Sequence, residues 1–187
     1  DLSLDLTFNL LKYLGNPQDK LKNVISVVGT NSKYSMIKSF QSILNQAGYK
    51  CNLYTSPHLQ SYTERYVYDD KEIDEDNLAD LLEDIEKING SDNLSEFEAL
   101  TCAYLKYCEQ YKDNVTFIEA GLFHRMDSTN VFRNNLCTLL GSISIDHLSW
   151  LDNKTIDGII HEKTAKLLTS KIFINKQENK ETTLKIK

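Results

Sequence analysis

Short apolar runs alternate along the chain with longer stretches in which apolar residues return every three or four positions. The runs are rich in valine, isoleucine and leucine. A strand that is buried on both faces of a parallel sheet has this continuous apolar pattern. We therefore predict buried strands in the segments NVISVV, VTFIEAGL and LCTLLGSISIDH, and further strands in YKCNLYTS and KIFINK.

The periodic stretches predict helices, because apolar residues three and four positions apart fall on one face of a helix. Gly48 is placed to end the first of these helices, and Ser95 is a suitable N-cap for the third. A fourth helix is predicted over about residues 155–168. The apolar faces of the first three comprise Met36, Ile37, Phe40, Ile43, Leu44 and Ala47, then Leu78, Leu81, Leu82, Ile85 and Ile88, then Phe97, Leu100, Tyr104, Cys108 and Tyr111.

Strands that alternate with helices require crossover connections, which produce a mostly parallel sheet flanked by helices. The segment PHLQSYTERYVYDD is typical of a loop-rich stretch, and the polar tail QENKETTLKIK indicates no clear end to a domain. We see no internal repeat or low-complexity linker that would divide the chain. The sequence therefore predicts a single α/β domain over residues 1–187.

Composition and charge narrow the classes of protein further. The 187 residues carry a formal net charge of −6, which disfavours nonspecific binding to nucleic acid or to an anionic membrane. No apolar run is long enough to cross a bilayer and the start of the chain lacks a secretory pattern, so we expect a cytoplasmic protein. The four cysteines form no CxxC pair and the histidines no HExxH spacing, which argues against a zinc site and predicts reduced thiols.

Candidate chemical groups follow three of the predicted strands, namely the loop GTNSKYS at residues 29–35, Glu119, and Asp146 with His147. Ligands of parallel sheets gather at the carboxyl ends of the strands. Loop amides can hold phosphate oxygens, a lysine can neutralise them, and a carboxylate and an imidazole can complete a Mg²⁺ site. Each group also has an ordinary interpretation: a turn with a solvated lysine, an exposed rim carboxylate, and a helix cap or polar contact. Their joint placement favours a nucleotide site.

Lys163 falls on the otherwise apolar face of the fourth predicted helix, which carries Ile156, Ile159, Ile160 and Leu167. One interpretation is a lysine whose stem packs while its amine extends to water. The other is a partly desolvated amine, whose lowered pKa leaves it reactive.

Six segments follow one another along the chain: LGNPQDKLKNVISVVGTNSKYS, AGYKCNLYTSPHLQSYTER, SEFEALT, FIEAGLFHRMDSTNVF, SISIDHLSWL and IIHEKTAKL. In this order they resemble the signature blocks of the folylpolyglutamate synthase/dihydrofolate synthase family of Mur-type ligases, over nearly the whole chain. The resemblance implies the P-loop NTPase-like central domain of a Mur ligase. It also implies an ATP- and Mg²⁺-dependent ligation of glutamate to the carboxylate of a folate, or of dihydropteroate, through an acyl phosphate.

The resemblance implies roles for individual residues as well. Lys33, His147 and Lys163 would act in catalysis, and Lys163 matches a lysine that is carboxylated in the family. The residues implied at the ATP phosphates are Gly29, Thr30, Asn31, Ser32, Lys33, Tyr34 and Ser35. Those implied at the folate are Ser56, Pro57, His58, Arg65, Asp127 and Asn130, and those implied at Mg²⁺ are Ser35, Ser56, Glu119 and His147.

The chain departs from the family pattern in two loops. The family loop reads GTNGKGS, whereas this chain has Ser32 and Tyr34 in place of the two later glycines. We expect Ser32 to need a positive φ, at a cost of about 1–2 kcal/mol, and the Tyr34 ring to obstruct the phosphates more. The family's GLGGR is GLFHR here, with Phe123 and His124 in place of two further glycines.

The chain is also less than half the length usual for the family, so we expect the glutamate-ligase domain at the C-terminal side to be absent from it. Two hypotheses follow. The chain is a ligase that a separately encoded C-terminal domain completes, or it is a catalytically inactive remnant with weak or no nucleotide binding. An unrelated P-loop NTPase is disfavoured, because the segments on the folate side would then have no function.

Overall fold

The apolar runs form the centre of one mixed sheet in the computed structural model, which describes residues 3–90, 92–167 and 171–186. Within these residues the sheet has seven strands in the order β4-β3-β2-β5-β1-β6-β7. The strands are β1 (Asn23–Val28), β2 (Cys51–Tyr54), β3 (Tyr66–Tyr68), β4 (Lys71–Glu72), β5 (Val115–Glu119), β6 (Cys137–Leu140) and β7 (Ile172–Ile174). The helices are α1 (Asp5–Tyr13), α2 (Lys33–Gln46), α3 (Glu75–Asn89), α4 (Glu96–Cys108), α5 (Ile156–Thr164) and α6 (Lys180–Ile186).

Five neighbouring strands of the sheet are parallel, and β3 and β4 extend it as an antiparallel hairpin. The register places Val27 of β1 opposite Glu119 of β5, and Val28 opposite Leu140 of β6. The carboxyl ends of these three strands therefore meet at one edge. The predicted mostly parallel sheet flanked by helices is confirmed.

Burial of apolar side chains against both faces of the sheet explains why the helices lie where they do. One core cluster joins α1, α3 and α4 to the sheet and contains several buried tyrosines, among them Tyr54, Tyr66 and Tyr104. The hydroxyl of Tyr66 donates to the carbonyl of Leu100 at 2.9 Å, so its burial leaves that polar atom paired. Two smaller clusters join α2 and α5 to the sheet.

The predicted start of α4 is confirmed in detail. The Ser95 hydroxyl accepts a hydrogen bond from the Glu98 amide, and the Glu98 carboxylate accepts one from the Ser95 amide. This reciprocal capping box satisfies amide groups that have no partner within the helix. Gly48 likewise lies just past the end of α2 with φ of +84°.

Three predictions of secondary structure need correction, and the tail contains a helix for which no prediction was made. The stretch expected to be loop-rich contains the β3–β4 hairpin, whose turn residues Asp69 and Asp70 both have positive φ. Strand β6 ends at Leu140, so the SISIDH segment that follows is a loop. The tail forms α6, and α5 ends at Thr164. The predicted end of α5 at residue 168 lies outside the described residues.

The predicted apolar face of α2 is only partly covered. Ile37 is fully buried, whereas Phe40 is 39% exposed and Ile43 is 64% exposed. No helix within the described residues has the length and apolar character needed to cross a membrane. All four cysteines are free thiols, and three of them are buried.

Candidate functional site

The loop that follows β1 is fastened to the segment after β6. The amides of Thr30 and Asn31 both donate to the carbonyl of Ser142, at 2.9 and 3.2 Å. Gly29 has φ of +148°, and a Cβ there would lie 2.9 Å from the Cα of Gly141. Only glycine fits this position without displacing backbone, so Gly29 and Gly141 together set the shape of the loop.

Ser32 keeps the conformation that a glycine would favour. Its φ of 69° and ψ of 0° lie in the left-handed region, directly before the first residue of α2. The expected positive φ is therefore confirmed. The substitution preserves the path of the loop at the expense of local strain.

We expect Ser32→Gly to raise the free energy of unfolding by about 0.5–1 kcal/mol. Release of the left-handed strain exceeds the greater entropy that glycine gives the unfolded chain. Urea denaturation measures the change. The control is Ser35→Gly, since Ser35 lies inside α2 and glycine there should destabilise by about 0.5–1 kcal/mol. Equal effects of the two substitutions would show that Ser32 is not strained.

Lys33 folds back across the loop instead of extending into solvent. Its Nζ lies 3.4 Å from the carbonyl oxygen of Thr30 and 3.7 Å from Oε1 of Glu119. The two side chains are 14% and 3% exposed. The alternative interpretations, a solvated lysine and an exposed rim carboxylate, are therefore wrong for this pair.

Glu119 is the buried carboxylate at the centre of the edge. Its Oε2 accepts a hydrogen bond from the amide of Ser56 at 3.1 Å. Burial raises the pKa of Glu119, while the Lys33 charge and the Ser56 amide oppose that rise. Such a carboxylate is poised for a cation, because a positive charge would relieve the cost of its desolvation.

The Glu119 pKa predicts the pH dependence of stability in the absence of added metal. Because burial raises the pKa of Glu119 in the folded chain above that of an unfolded glutamate, the folded chain holds this proton more tightly. Stability therefore falls as the pH rises from the unfolded pKa through the folded pKa. We expect Glu119→Gln to stabilise the chain increasingly from pH 4 to pH 7, as measured by melting temperature. Glu64→Gln should show the opposite trend, since three backbone amides lower the Glu64 pKa. Parallel trends would contradict this assignment.

The segment after β2 is held by its own polar contacts. Glu64 accepts hydrogen bonds from the amides of Leu59, Gln60 and Ser61, and Arg65 Nε donates to His58 Nδ1 at 2.9 Å. These bonds fix the path of residues 56–65 beside Glu119. The path of this segment is therefore set by hydrogen bonds within the chain itself.

Asp127 braces the loop after β5. It accepts hydrogen bonds from the amides of Gly121, Leu122 and Thr129, and burial raises its pKa despite these bonds. Asn130 donates to the carbonyl of Lys166 at 3.3 Å. Both residues have a structural function in this loop, and Asp127 also reaches the cleft described next.

A cleft of about 640 Å³ joins several of the candidate residues. Those predicted from the sequence that line it are Lys33, Ser56, Pro57, Arg65, Asp127 and His147. The cleft is also lined by Phe97, Met126 and Trp150, to which the sequence analysis assigned no ligand-binding role. The Phe97 ring occupies the space that a Cβ on Gly121 would fill, at 2.7 Å, and this contact between residues distant in sequence had no signal in the sequence.

Other predicted residues lie outside the lining of this cleft. Ser35 is exposed on α2, and Tyr34, 56% exposed, lines a neighbouring cavity of about 380 Å³ that shares Ser56 and Pro57 with the cleft. His147 lies at the cleft with its side chain 41% exposed, and its Nε2 is 3.2 Å from Asp146 Oδ2. Within the described ranges, no cluster of three or more His, Cys, Asp or Glu side chains is arranged to hold a metal.

Lys163 is buried to 3% exposure, and its amine points inward. Nζ donates to the carbonyls of Gly29 at 3.1 Å and Leu122 at 3.0 Å, and it lies 5.5 Å from the centre of the Phe123 ring. Burial lowers the pKa of Lys163 to about 8, with the Lys33 charge acting in the same direction. The interpretation with a solvated amine is wrong, and the desolvated amine is confirmed.

The sheet, the glycine-bounded loop and the paired Lys33 and Glu119 define a P-loop-like α/β domain, the fold that the resemblance to Mur-type ligases implies. No protein-family model matches the sequence. It is 36% identical to a dihydrofolate synthetase of Saccharomyces cerevisiae over 169 residues, which are 88% of this chain and 39% of that protein. It is 37% identical to an Escherichia coli dihydrofolate synthase/folylpolyglutamate synthase over 128 residues, 68% of this chain and 30% of that one.

Solved structures are also similar to this chain. Escherichia coli FolC in complex with DHPP and ADP has a TM-score of 0.87 and 31% identity, covering 100% of this chain and 44% of that one. A Yersinia pestis folylpolyglutamate synthase/dihydrofolate synthase complexed with AMPPNP and Mn ion has a TM-score of 0.85 and 28% identity, covering 96% and 43%. The chain belongs to the dihydrofolate synthase/folylpolyglutamate synthase family. It spans about two fifths of the length of these relatives.

Proposed function

We propose that this chain supplies the nucleotide site and the folate-side wall of an ATP-dependent carboxylate–amine ligase. The observation that carries the proposal is the approach of Lys33 to Glu119 at the carboxyl edge of the sheet, beside a cleft that Ser56, Arg65 and His147 also line. This arrangement offers a cation for phosphate, a carboxylate for a metal and an arginine for an anionic substrate. The ligated substrates would be glutamate and a folate or dihydropteroate.

The phosphate groups would lie over residues 29–35, at the N-terminus of the 14-residue helix α2. The helix dipole and the free amides of its first turn favour an anion there. Lys33 would exchange its contact with Glu119 for one with phosphate, which frees the carboxylate for a cation. Since a buried Glu119 is stabilised by positive charge, the two exchanges support each other.

Three of the four side chains assigned to Mg²⁺ would supply oxygen, the ligand that this hard cation prefers, and His147 would supply nitrogen. Glu119, His147 and the hydroxyls of Ser35 and Ser56 are the groups we assign to it, together with phosphate oxygens. Bound Mg²⁺ would neutralise phosphate charge during transfer. The related Yersinia pestis structure is a complex with a nucleotide and Mn ion, which supports a divalent metal at this site.

The pteroate part of the substrate would occupy the cleft between Phe97 and the loop that Asp127 braces. Phe97 offers a ring face, and the Arg65 guanidinium can pair with a carboxylate. Pro57 and the His58 that holds Arg65 would complete this wall, with Asn130 supporting its loop. The related FolC structure contains DHPP and ADP together, which supports adjacent sites for the two ligands.

Lys163 is proposed to carry a carbamate. A neutral amine is required for reaction with CO₂, and a pKa of about 8 leaves a useful neutral fraction near physiological pH. The carbamate would convert a buried cation into an anion close to the loop that Lys33 follows.

The glutamate site is assigned to a C-terminal domain, encoded separately or joined to this chain, and the protein is proposed to act in the cytoplasm. A remnant without nucleotide binding is the second candidate, favoured by the strained Ser32 and the bulky Tyr34. The remnant hypothesis predicts no saturable binding of Mg·ATP, whereas the ligase hypothesis predicts such binding.

Two substitutions should separate the proposed subsites. We expect Arg65→Met to weaken dihydropteroate binding, followed by pterin fluorescence, roughly tenfold while leaving Mg·ATP affinity within about twofold. Lys33→Met should do the reverse, because Lys33 is the first residue of α2, where the phosphates are proposed to bind. Equal losses of both ligands in both variants would show that the cleft does not contain two separate subsites.

A further inference from the structure

His124 is an unusual buried residue close to Lys163. Its side chain is 1% exposed, and neither ring nitrogen has a hydrogen-bond partner among the described residues. Burial lowers the pKa of His124 to about 4, and the positive charge of Lys163 contributes to the decrease. A buried imidazole with no partner is destabilising, so its presence calls for a ligand or a functional reason.

The backbone around His124 wraps the helical turn that carries Lys163. The amides of His124 and Arg125 both donate to the carbonyl of Glu162, at 3.1 and 2.9 Å. The carbonyl of Leu122 accepts from Lys163 Nζ at 3.0 Å, and the Phe123 ring covers the amine. Residues 122–125 therefore pack against the turn of α5 that carries Lys163, which brings the buried His124 next to that turn.

We propose that His124 is the positioning residue that pairs with a carbamate on Lys163. This inference rests on the carbamate proposed above and adds the residue that stabilises it. The described contacts of Lys163 are carbonyl oxygens, which suit an ammonium group and repel an anion. The ring nitrogens of His124 are buried and have no partner among the described residues, so one of them is able to donate to such an anion.

The reaction balances with CO₂ as the second reactant. The neutral Nζ attacks the carbon of CO₂, an N–C bond forms, one C–O π pair moves to oxygen, and the nitrogen loses one proton to water or to His124. The charge at position 163 then changes from positive to negative. An opposite charge nearby favours the protonated imidazole. A carbamate at position 163 would therefore raise the pKa of His124, where the ammonium lowers it, and an imidazolium–carbamate pair becomes favourable.

The test is ¹³C NMR of the full chain equilibrated with ¹³C-bicarbonate near pH 8. The native chain should show a carbamate resonance, and Lys163→Arg should lack it, which assigns the signal. His124→Leu should reduce carbamate occupancy roughly tenfold, as expected for loss of a charge-assisted hydrogen bond. His124→Gln, which retains an N–H donor, should recover most of the signal.

Two controls separate this effect from damage to the fold. His161→Gln changes an exposed histidine on the same helix and should leave the resonance unchanged. Without CO₂, the melting temperature of His124→Leu should equal or exceed that of the native chain, because an unpaired imidazole is removed. His124→Met is measured alongside, so that poor folding of one variant leaves a second.

The outcomes are distinct. Equal carbamate signals in native, His124→Leu and His124→Met chains would overturn the role of His124 while the carbamate stands. The absence of any signal in the native chain would overturn both. We expect the carbamate signal to be lost in the His124→Leu and His124→Met variants and to be recovered in His124→Gln.

Discussion

Gly29→Ala is expected to lower the free energy of unfolding by about 2–5 kcal/mol and to abolish Mg·ATP binding. Two costs combine: a φ of +148° that side chains rarely adopt, and a Cβ placed 2.9 Å from the Cα of Gly141. The first is worth about 1–2 kcal/mol and the second about 1–3 kcal/mol. Urea denaturation measures stability, and a nucleotide-dependent rise in melting temperature measures binding.

Gly48→Ala is the matched control for this substitution. Gly48 also has a positive φ, of +84°, but a Cβ there would meet nothing within 4 Å. Only the conformational cost applies, so we expect a loss of about 1 kcal/mol and unchanged nucleotide binding. If both variants lose the same stability, the close approach of Gly29 to Gly141 does not determine the loop.

Lys33→Met is expected to weaken Mg·ATP binding by roughly 10- to 100-fold, because it removes one charge-assisted contact worth about 1.5–3 kcal/mol. Methionine retains the unbranched stem and removes the charge. The change is read from the rise in melting temperature with nucleotide concentration, since only the folded chain binds.

Lys38→Met provides the comparison, because Lys38 lies one turn further along the same helix and its Nζ contacts Gln41. It should leave nucleotide affinity unchanged within about twofold. If Lys33→Met also binds normally, Lys33 does not reach the phosphates, and its contact with Glu119 is purely structural.

The features that the sequence predicted best depend on local signals. The apolar face of α4 with Ser95 at its start, and the unexpected lysine at position 163, both follow from periodicity within one helix. The burial of Glu119 was only one of two open interpretations, because a strand end can face water or a cleft. Its contact with Lys33 depends on the order of β1 and β5 in the sheet.

The features that the sequence failed to predict depend on distant contacts or on rare backbone conformations. The turn of the β3–β4 hairpin consists of two aspartates with positive φ, a conformation that asparagine and glycine adopt more often. The end of β6 is set by the docking of Thr30 and Asn31 on Ser142, which no periodicity reveals. Phe97 could be placed in the cleft only once the position of Gly121 was known.

The most direct test of the account is a calorimetric titration of the native chain with Mg·ATP, alongside the double variant Ser32→Gly/Tyr34→Gly. We predict saturable binding of one nucleotide per native chain that disappears without Mg²⁺, with the double variant binding more tightly. The absence of saturable binding by the native chain would contradict the proposed nucleotide site. Binding by the double variant alone would identify the chain as a remnant whose site was lost through these two substitutions.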